Sequence, residues 1–255
     1  MKPNKKIWAF ADVDDNLITT RRDAPCAESE VAAVDAKGAP CGWLTPKQKQ
    51  FLGLFANRVC IVLTTARTTT GAKQLRLPIK RGYSIVSFGG VIRTADGSSE
   101  PRYRALIAPQ AEAESATLKR LLSVMQKHCS AHQVDARIRL AADDGLDLFL
   151  SIKHNARDLT AMAALKEVLA AELALLPGWQ LHFNGNFLAA LPPFLGKDKA
   201  VQWFIDTIVG PGNLTIGLGD SHTDLPFMGL CDLAVSPTGS QIFSHTLQTQ
   251  TGGDL

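Results

Sequence analysis

The chain of 255 residues has no long apolar run and little net charge, and each absence excludes a class of protein. Its formal net charge is only +3, which is too small to indicate binding to nucleic acid or to a membrane surface. No apolar stretch in the sequence approaches the roughly 20 residues that a membrane-spanning helix needs. The apolar stretch after the basic start of the chain runs straight into Asp12, so it is too short for a secretion signal.

Cysteine is also scarce. The five cysteines are an odd number without paired spacing, so we expect reduced thiols and a cytoplasmic protein. Cys26 and Cys41 flank one loop, where they could pair or bind a metal ion, although two ordinary loop cysteines are the favoured interpretation. Hydrophobic residues make up 45% of the chain and charged residues 20%, which is typical of a soluble globular protein.

Two short apolar runs, at residues 7–11 and 214–218, end in clustered acids. Each run predicts a buried strand, and open α/β sheets bind ligands beyond the carboxyl ends of their strands. The acids are Asp12 and Asp14 after the first run, and Asp220 and Asp224 after the second. Carboxylates at the end of a buried strand are costly unless a divalent cation offsets their charge. The two clusters therefore predict opposite sides of one Mg²⁺ site.

Two patterns of secondary structure alternate along the chain and predict two domains. The outer parts alternate strands with helices. Helices are expected there at residues 45–57 and 198–208, and further strands at residues 59–63 and 84–87. A hairpin-like edge is expected at residues 91–97. The middle predicts a compact α+β unit of two helices and two strand pairs. Its expected elements are helices at 109–126 and 159–175 and strands at 136–140, 147–152, 179–183 and 187–190.

These patterns place the chain in the α/β class. We predict a Rossmann-like parallel-sheet core from residues 1–99 and 191–255, interrupted by an inserted α+β domain at residues 100–190. Residues 19–43 show little periodicity and are expected to form an irregular excursion over the site. The polar tail at residues 248–255 is expected to fray.

The residue types at the predicted strand ends suit phosphoryl transfer. One carboxylate can attack phosphorus while a second donates a proton to the leaving oxygen, and Asp12 and Asp14 can reach the same space. The phosphoryl oxygens also need hydrogen-bond donors and positive charge. Thr65 at the end of a strand supplies a hydroxyl group, and Lys197 before a helix supplies an ammonium group.

Four motifs, in order along the chain, resemble those of the haloacid dehalogenase superfamily of phosphatases, which use an aspartate nucleophile. The motifs are Asp12-Val13-Asp14-Asp15-Asn16, Thr65-Ala66-Arg67, Lys197-Asp198-Lys199-Ala200 and Gly219-Asp220-Ser221-His222-Thr223-Asp224. The insertion lies between the second and third motifs. That placement resembles the subgroup with a large α/β cap, which includes sucrose-phosphate, trehalose-phosphate and mannosyl-phosphoglycerate phosphatases and phosphomannomutases.

The resemblance implies a Mg²⁺-dependent phosphomonoesterase acting on a phosphorylated sugar or a similar small metabolite. Asp12 is then the nucleophile, Asp14 is first the proton donor and then the base, and Thr65 and Lys197 hold the phosphoryl oxygens. The implied metal ligands are Asp12, the backbone carbonyl of Asp14 and Asp220, with Asp224 in support. Lys199 is a rival to Lys197 and Thr64 to Thr65, and motif register favours Lys197 and Thr65.

The sequence also suggests residues that bind the substrate. Asn16 stands where the family usually has Thr or Val, and it can still form hydrogen bonds. Arg67 is the arginine of the second motif, where a ligand contact and a solvated charge are both open. Asn184 and Asn186 flank Gly185 at a hairpin tip in the insertion, where plain turn chemistry is the alternative to substrate recognition. The cap domain is expected to close over the site and to recognise the leaving group.

Two other functions remain compatible with the sequence. A sugar phosphomutase would use the same aspartyl-phosphate but return the phosphoryl group to a sugar, and a non-catalytic protein would only bind a phosphorylated ligand. The intact pair of Asp12 and Asp14 argues against the non-catalytic alternative. The expected partner is a small phosphorylated molecule rather than nucleic acid or a membrane, and the sequence leaves the oligomeric state open.

Overall fold

The computed structural model describes residues 6–21, 23–55, 58–80 and 82–244. The chain forms two compact units: unit 1 comprises residues 1–100 and 197–255, and unit 2 comprises residues 101–196, inserted between the two parts of unit 1. The predictions for the tail at 248–255 and for the end of the first helix near Asn57 fall outside the described residues. That unit 1 is a catalytic core and unit 2 a cap stays a prediction.

The described residues form twelve strands and six α-helices. The strands are β1 (Ile7–Ala11), β2 (Glu30–Val34), β3 (Pro40–Leu44), β4 (Val59–Thr64), β5 (Ser84–Val86), β6 (Val91–Arg93), β7 (Ala136–Asp143), β8 (Leu146–His154), β9 (Gln180–Asn184), β10 (Phe187–Leu191), β11 (Leu214–Leu218) and β12 (Leu233–Val235). The helices are α1 (Pro46–Leu54), α2 (Thr69–Lys73), α3 (Pro101–Ala131), α4 (Leu159–Leu173), α5 (Lys197–Phe204) and α6 (Leu225–Met228). Among the described residues, no helix combines the length and the hydrophobicity that crossing a membrane requires.

Unit 1 is built on a six-stranded sheet in the order β12-β11-β1-β4-β5-β6. All neighbouring strands are parallel except β5 and β6, which are antiparallel. Ala11 at the end of β1 pairs with Leu63 in β4 and with Leu218 in β11. The residues that follow these three strands therefore emerge side by side, which places the first, second and fourth predicted motifs at one edge of the sheet. The predicted α/β class, with a Rossmann-like parallel sheet and an inserted α+β unit, is confirmed.

An aromatic cluster fixes α5 against this sheet. The ring of Phe204 meets Trp8 and Phe10 of β1 at 5.5 Å each and Tyr83 at 5.0 Å, in edge-to-face geometry. Such pairs contribute about 0.5–1.5 kcal/mol beyond the area that they bury. Because Phe204 ends the helix that Lys197 begins, the cluster also sets where Lys197 lies. Beyond Phe204 the predicted helix at 198–208 changes to a π-helical turn, Ile205–Val209.

The predicted irregular excursion at residues 19–43 is wrong for its second half, where β2 and β3 form an antiparallel hairpin. The tight turn between them is held by the Asp35 carboxylate, which accepts from the backbone N–H groups of Lys37 and Ala39 at 2.8 and 2.9 Å. The strand sequences Glu-Val-Ala-Ala-Val and Pro-Cys-Gly-Trp-Leu have few β-branched residues, so propensity gives little signal. Close packing supplies the stability instead, since Ala33 is fully buried against Gly42.

Unit 2 is a four-stranded antiparallel sheet in the order β7-β8-β10-β9, and α3 and α4 pack on it. The shared core includes Leu121 and Met125 of α3, Leu165 of α4, Leu150 of β8 and Leu188 of β10. The two helices and two strand pairs predicted for the middle of the chain are present.

The helix predicted at residues 109–126 is too short, because α3 begins at Pro101 and ends at Ala131. Tyr103, Ile107 and Ala111 are buried at a spacing of four residues, so one apolar stripe runs past Pro109. Proline lacks the N–H for the helical hydrogen bond, but Pro109 is exposed, and water can therefore satisfy the carbonyl group left free. The short elements α2, α6 and β12 were not predicted, since three to five residues give too little periodicity to recognise.

Glycine at position 217 is required by the packing of β11 on α6. A Cβ atom at Gly217 would lie 2.7 Å from the Cα atom of Met228. We therefore expect Gly217→Ala to lower the free energy of unfolding by roughly 1–3 kcal/mol, the usual effect of overpacking. Urea unfolding monitored by circular dichroism measures the change. Gly53→Ala in α1 is the matched control, because its Cβ would meet nothing within 4 Å and alanine is the better helix former. Equal losses of unfolding free energy in both variants would contradict the packing argument.

Candidate active site

A buried ammonium group joins two of the predicted motifs. The Nζ atom of Lys197 donates to Asp12 Oδ1 at 2.6 Å and to Asp224 Oδ1 at 2.7 Å. The side chains of Lys197, Asp12 and Asp224 are only 9%, 8% and 0% exposed. Asp12 is fixed on the sheet side as well, since its backbone N–H donates to the Leu218 carbonyl at 2.9 Å. Residues from the end of β1, the start of α5 and the loop after β11 thus meet at one point.

The structure distinguishes the two candidate lysines. Lys197 is the first residue of α5 and lies over the Phe227 ring at 5.8 Å, while Lys199, two residues on, is exposed. Burial alone would lower the pKa of the Lys197 ammonium, but the adjacent Asp12 and Asp224 carboxylates raise it, so the group is charged. Lys197 is therefore the cation of this site.

Both carboxylate oxygens of Asp224 have hydrogen-bond donors. Oδ1 accepts from Lys197, and Oδ2 accepts from the Ser221 hydroxyl at 2.7 Å, the Ser221 N–H at 3.1 Å and the Asp220 N–H at 3.3 Å. Burial raises the pKa of Asp224, but Lys197 and Ser221 outweigh it and the pKa lies below the ordinary value. Gly219 allows this arrangement, because its Cβ would lie 2.5 Å from Asp224 Cβ. Asp224 thus anchors Lys197 and shapes the loop that carries Asp220.

Three carboxylates in this cluster share one ammonium group. Oxygen atoms of Asp12, Asp220 and Asp224 lie within 4.8 Å of one another. Burial, followed by the charges of Asp224 and Asp15, raises the pKa of Asp220 to about 7. Burial also raises the pKa of Asp12 well above its ordinary value, despite the opposing effect of Lys197. When all three carboxylates are ionised, the cluster therefore carries more negative than positive charge.

The donor set of this cluster suits a hard divalent cation. Carboxylate oxygens are the ligands that Mg²⁺ prefers, and a cation would offset the excess charge that burial makes costly. Asp12 and Asp220 are the side chains best able to bind it directly, since each keeps a carboxylate oxygen without a protein donor among the hydrogen bonds of the described residues. The residues present therefore fit Mg²⁺, with Asp224 in a supporting position.

Asp14 is held apart from that cluster by Arg67. The guanidinium Nε donates to Asp14 Oδ2 at 2.8 Å and Nη2 donates to Oδ1 at 2.6 Å. The Asp14 carboxylate does not belong to the three-acid group found among the described residues. A role for Asp14 in metal binding is thus left to its backbone carbonyl, and that role stays a prediction. Arg67, predicted to contact the substrate, has its guanidinium bound to Asp14.

Hydrogen bonding also separates Thr65 from its rival Thr64. Thr64 Oγ1 donates to the Val62 carbonyl at 3.1 Å, so its proton is already used. Thr65 Oγ1 instead accepts from the Arg67 N–H at 3.1 Å, which leaves its own O–H able to donate. Both hydroxyl groups are buried. Thr65 is therefore the residue that can donate to a phosphoryl oxygen.

The predicted substrate-binding asparagines have different surroundings. Asn16 Nδ2 donates to the Asp12 carbonyl at 3.0 Å, which braces the turn after β1. The Asn186 amide binds the backbone of His154, accepting from its N–H at 3.2 Å and donating to its carbonyl at 2.9 Å. Asn184 is exposed at the end of β9. Asn16 and Asn186 thus have structural contacts, and the substrate roles of all three stay predictions.

Sequence reasoning missed Ser221, which supplies two of the three donors to Asp224 Oδ2. Ser221 lies three residues before Asp224 in the loop that opens α6, a spacing at which its hydroxyl group reaches the carboxylate. That pattern could have identified it.

Comparison with known proteins adds evidence on the fold. No protein-family model and no curated protein sequence matches the chain. A sucrose-phosphatase structure from Synechocystis sp., in complex with sucrose and phosphate, is similar over 98% of this chain and 90% of that chain, with a TM-score of 0.52 and 14% identity. The C-terminal domain of a trehalose-6-phosphate phosphatase from C. albicans is similar over 99% of this chain and 78% of that chain, with a TM-score of 0.59 and 12% identity.

A third similar structure is an IMP-nucleotidase from Plasmodium falciparum, matched over 98% of this chain and 69% of that chain with a TM-score of 0.56 and 10% identity. The chain has the haloacid dehalogenase fold. The resemblance inferred from the four motifs is thus confirmed at the level of the fold. The structure brings Lys197, Asp12 and Asp224 of these motifs into contact, and their functional roles stay predictions.

Removing the buried ammonium group should leave two buried carboxylates without their partner. We expect Lys197→Met to lower the free energy of unfolding by about 3–5 kcal/mol, the usual cost of breaking a buried ion pair on one side. The exposed Lys199 provides the control, because Lys199→Met should change stability by no more than about 0.5 kcal/mol. Urea unfolding of both variants in the presence of a chelator measures the difference; a Lys197→Met protein as stable as wild type would show that the ion pair contributes little.

Proposed function

We propose that the protein is a Mg²⁺-dependent phosphomonoesterase that acts on a phosphorylated sugar or a similar small metabolite. The observation that carries this proposal is the buried contact of Lys197 with Asp12, beside the acid cluster at the ends of β1 and β11. It supports the proposal because the carboxylate proposed as nucleophile, a cation and a donor set suited to a metal ion lie close together. The similar folds of a sucrose-phosphatase and a trehalose-6-phosphate phosphatase support the class of substrate.

Substrate binding uses two groups of this chain. Lys197 attracts the phosphoryl oxygens by charge, and Thr65 donates its hydroxyl proton to one of them. Mg²⁺, when held by Asp12 and Asp220, supplies positive charge that lets an anionic nucleophile approach a phosphoryl dianion. Asp224 keeps Lys197 in place, since it binds the same ammonium group at 2.7 Å.

The reaction follows in two steps with balanced bonds. A carboxylate oxygen of Asp12 attacks phosphorus, the ester bond to the leaving oxygen breaks, and protonated Asp14 gives its proton to that oxygen. A water oxygen then attacks the phosphorus of the aspartyl-phosphate while Asp14 takes a proton from the water. The bond from phosphorus to Asp12 breaks, which releases phosphate and restores both side chains.

Two further parts of the proposal concern location and specificity. All five cysteines are free thiols, which supports the proposal that the protein is cytoplasmic. We assign the chemistry to unit 1 as the catalytic core and the recognition of the leaving group to unit 2 as the cap. That assignment is supported by the gathering of all four motifs in unit 1.

The purified protein should release phosphate from an aryl phosphate and from sugar phosphates only with Mg²⁺ or a similar hard cation. Asp12→Asn should abolish turnover, because the amide keeps the shape of the side chain but is not a nucleophile. Phosphate release and intact-protein mass spectrometry of the aspartyl-phosphate are the measurements. Full activity in excess chelator or in Asp12→Asn would contradict the proposal. Isomerised sugar phosphate without free phosphate would show a mutase instead.

Substitutions in the β9–β10 hairpin test whether unit 2 governs specificity. Asn184→Ala should change the ratio of kcat/KM among sugar phosphates far more than kcat/KM for a small aryl phosphate, whose leaving group offers few contacts. Asn186→Ala is the structural comparison, because it removes both hydrogen bonds to the His154 backbone and should lower the melting temperature. Equal changes of kcat/KM for all substrates in Asn184→Ala would argue that this hairpin takes no part in recognition.

A further inference from the structure

We infer that Arg67 is a positioning residue that acts through Asp14: it holds the proton-transferring carboxylate in place and does not serve as a substrate contact. The inference rests on the proposed function, since it concerns how Asp14 is oriented for the leaving oxygen. It replaces the substrate-binding role expected from the sequence with one that the contacts of the guanidinium group support.

The contact between the two side chains is a fork. Arg67 Nε lies 2.8 Å from Asp14 Oδ2 and 3.2 Å from Oδ1, and Nη2 lies 2.6 Å from Oδ1. Paired donors of a planar guanidinium fix both the position and the plane of a carboxylate, whereas a single ammonium would fix only a distance. Asp14 is 33% exposed, so a carboxylate there would otherwise have rotational freedom.

The backbone of Arg67 is itself fixed from two sides. Its N–H donates to Thr65 Oγ1 at 3.1 Å, and its carbonyl accepts from the Ser87 N–H at 2.7 Å. Ser87 and Phe88 have φ values of 54° and 55°, a region that costs residues other than glycine conformational energy. Such strain persists only where the surroundings hold it. Here the strained turn after β5 holds the turn after β4, and therefore holds the base of the Arg67 side chain.

The charge needed for the phosphoryl group is supplied elsewhere. Lys197 is buried beside Asp12, and the Thr65 hydroxyl proton is available. The pKa of Arg67 is raised, since the Asp14 carboxylate outweighs the opposing effect of burial, and Cys41 of β3 lies beside the guanidinium. Arg67 is thus a partly buried cation directed at Asp14, at 17% exposure. The fork lets the end of β4 set the geometry of the acid that follows β1.

The dependence of the rate on the leaving group tests this role. An aryl oxide leaves with little help from an acid, whereas an alkoxide needs the proton that Asp14 delivers. The value of kcat/KM reports the steps up to release of the alcohol. We expect Arg67→Met to lower kcat/KM for an alkyl phosphate such as glycerol phosphate roughly 30- to 100-fold, within the range for lost general-acid catalysis. The value for p-nitrophenyl phosphate should fall by less than about threefold. Arg67→Lys, which restores a single charged contact, should recover part of the loss.

A double-mutant cycle shows whether Arg67 works through Asp14. In an Asp14→Asn background, Arg67→Met should cause little further loss of kcat/KM for the alkyl phosphate, because the carboxylate that it positions is gone. Arg76→Met, at an exposed arginine, is the control and should leave both substrates unchanged. The melting temperature of Arg67→Met shows whether that variant folds. If it folds poorly, the same comparisons are made with Arg67→Lys.

Two results would overturn the inference while the proposed function stands. In an active wild type, equal losses for aryl and alkyl phosphates would show a contact with the phosphoryl group. Full additivity with Asp14→Asn would show a role independent of Asp14. A wild-type protein inactive on both phosphates would overturn the proposed function and the inference together.

Discussion

The contact on which the site depends is the ammonium group of Lys197 between the carboxylates of Asp12 and Asp224. It joins the start of α5, the end of β1 and the loop after β11, which are up to 212 residues apart in the sequence (224 minus 12). Burying charges is expensive unless they are paired and hydrogen-bonded. The condition is met at Asp224, whose carboxylate accepts hydrogen bonds from four donors. It meets the condition less well at Asp12 and Asp220, and there the excess negative charge favours a cation.

The two carboxylates of the first motif have different environments because different cations hold them. Asp12 is buried, faces Lys197 and belongs to the acid cluster, whereas Asp14 is partly exposed and faces Arg67. Separate environments are how a protein gives two identical groups two functions. Strand order produces this separation, because β1 lies between β11 and β4. Strand β11 leads to the acid loop, and β4 leads to Arg67.

The sequence predicted those parts of the fold whose signals are local. Buried runs ending in acids indicated β1 and β11. The helix expected from residue 45 is present as α1, where the structure shows a full capping box between Thr45 and Gln48. The β2–β3 hairpin could not be predicted in the same way, because its alanine and glycine residues are stabilised by contacts across the hairpin rather than by propensity. Motif order also predicted candidate site residues, but it could not predict their hydrogen bonding. Only the folded structure shows that Thr64 donates its hydroxyl proton to a backbone carbonyl while the Thr65 hydroxyl proton stays available.

The glycines of the last motif show how the site and the core constrain each other. Gly217 admits the backbone of Met228, and Gly219 admits Asp224. Any side chain at either position would push α6, and with it the anchor of Lys197, away from the sheet. Close packing of this kind leaves the acid cluster no room to spread apart and reduce its repulsion. An ion that binds only the folded chain stabilises the fold by mass action, so the cation of the proposed reaction would also offset the repulsion that this packing imposes.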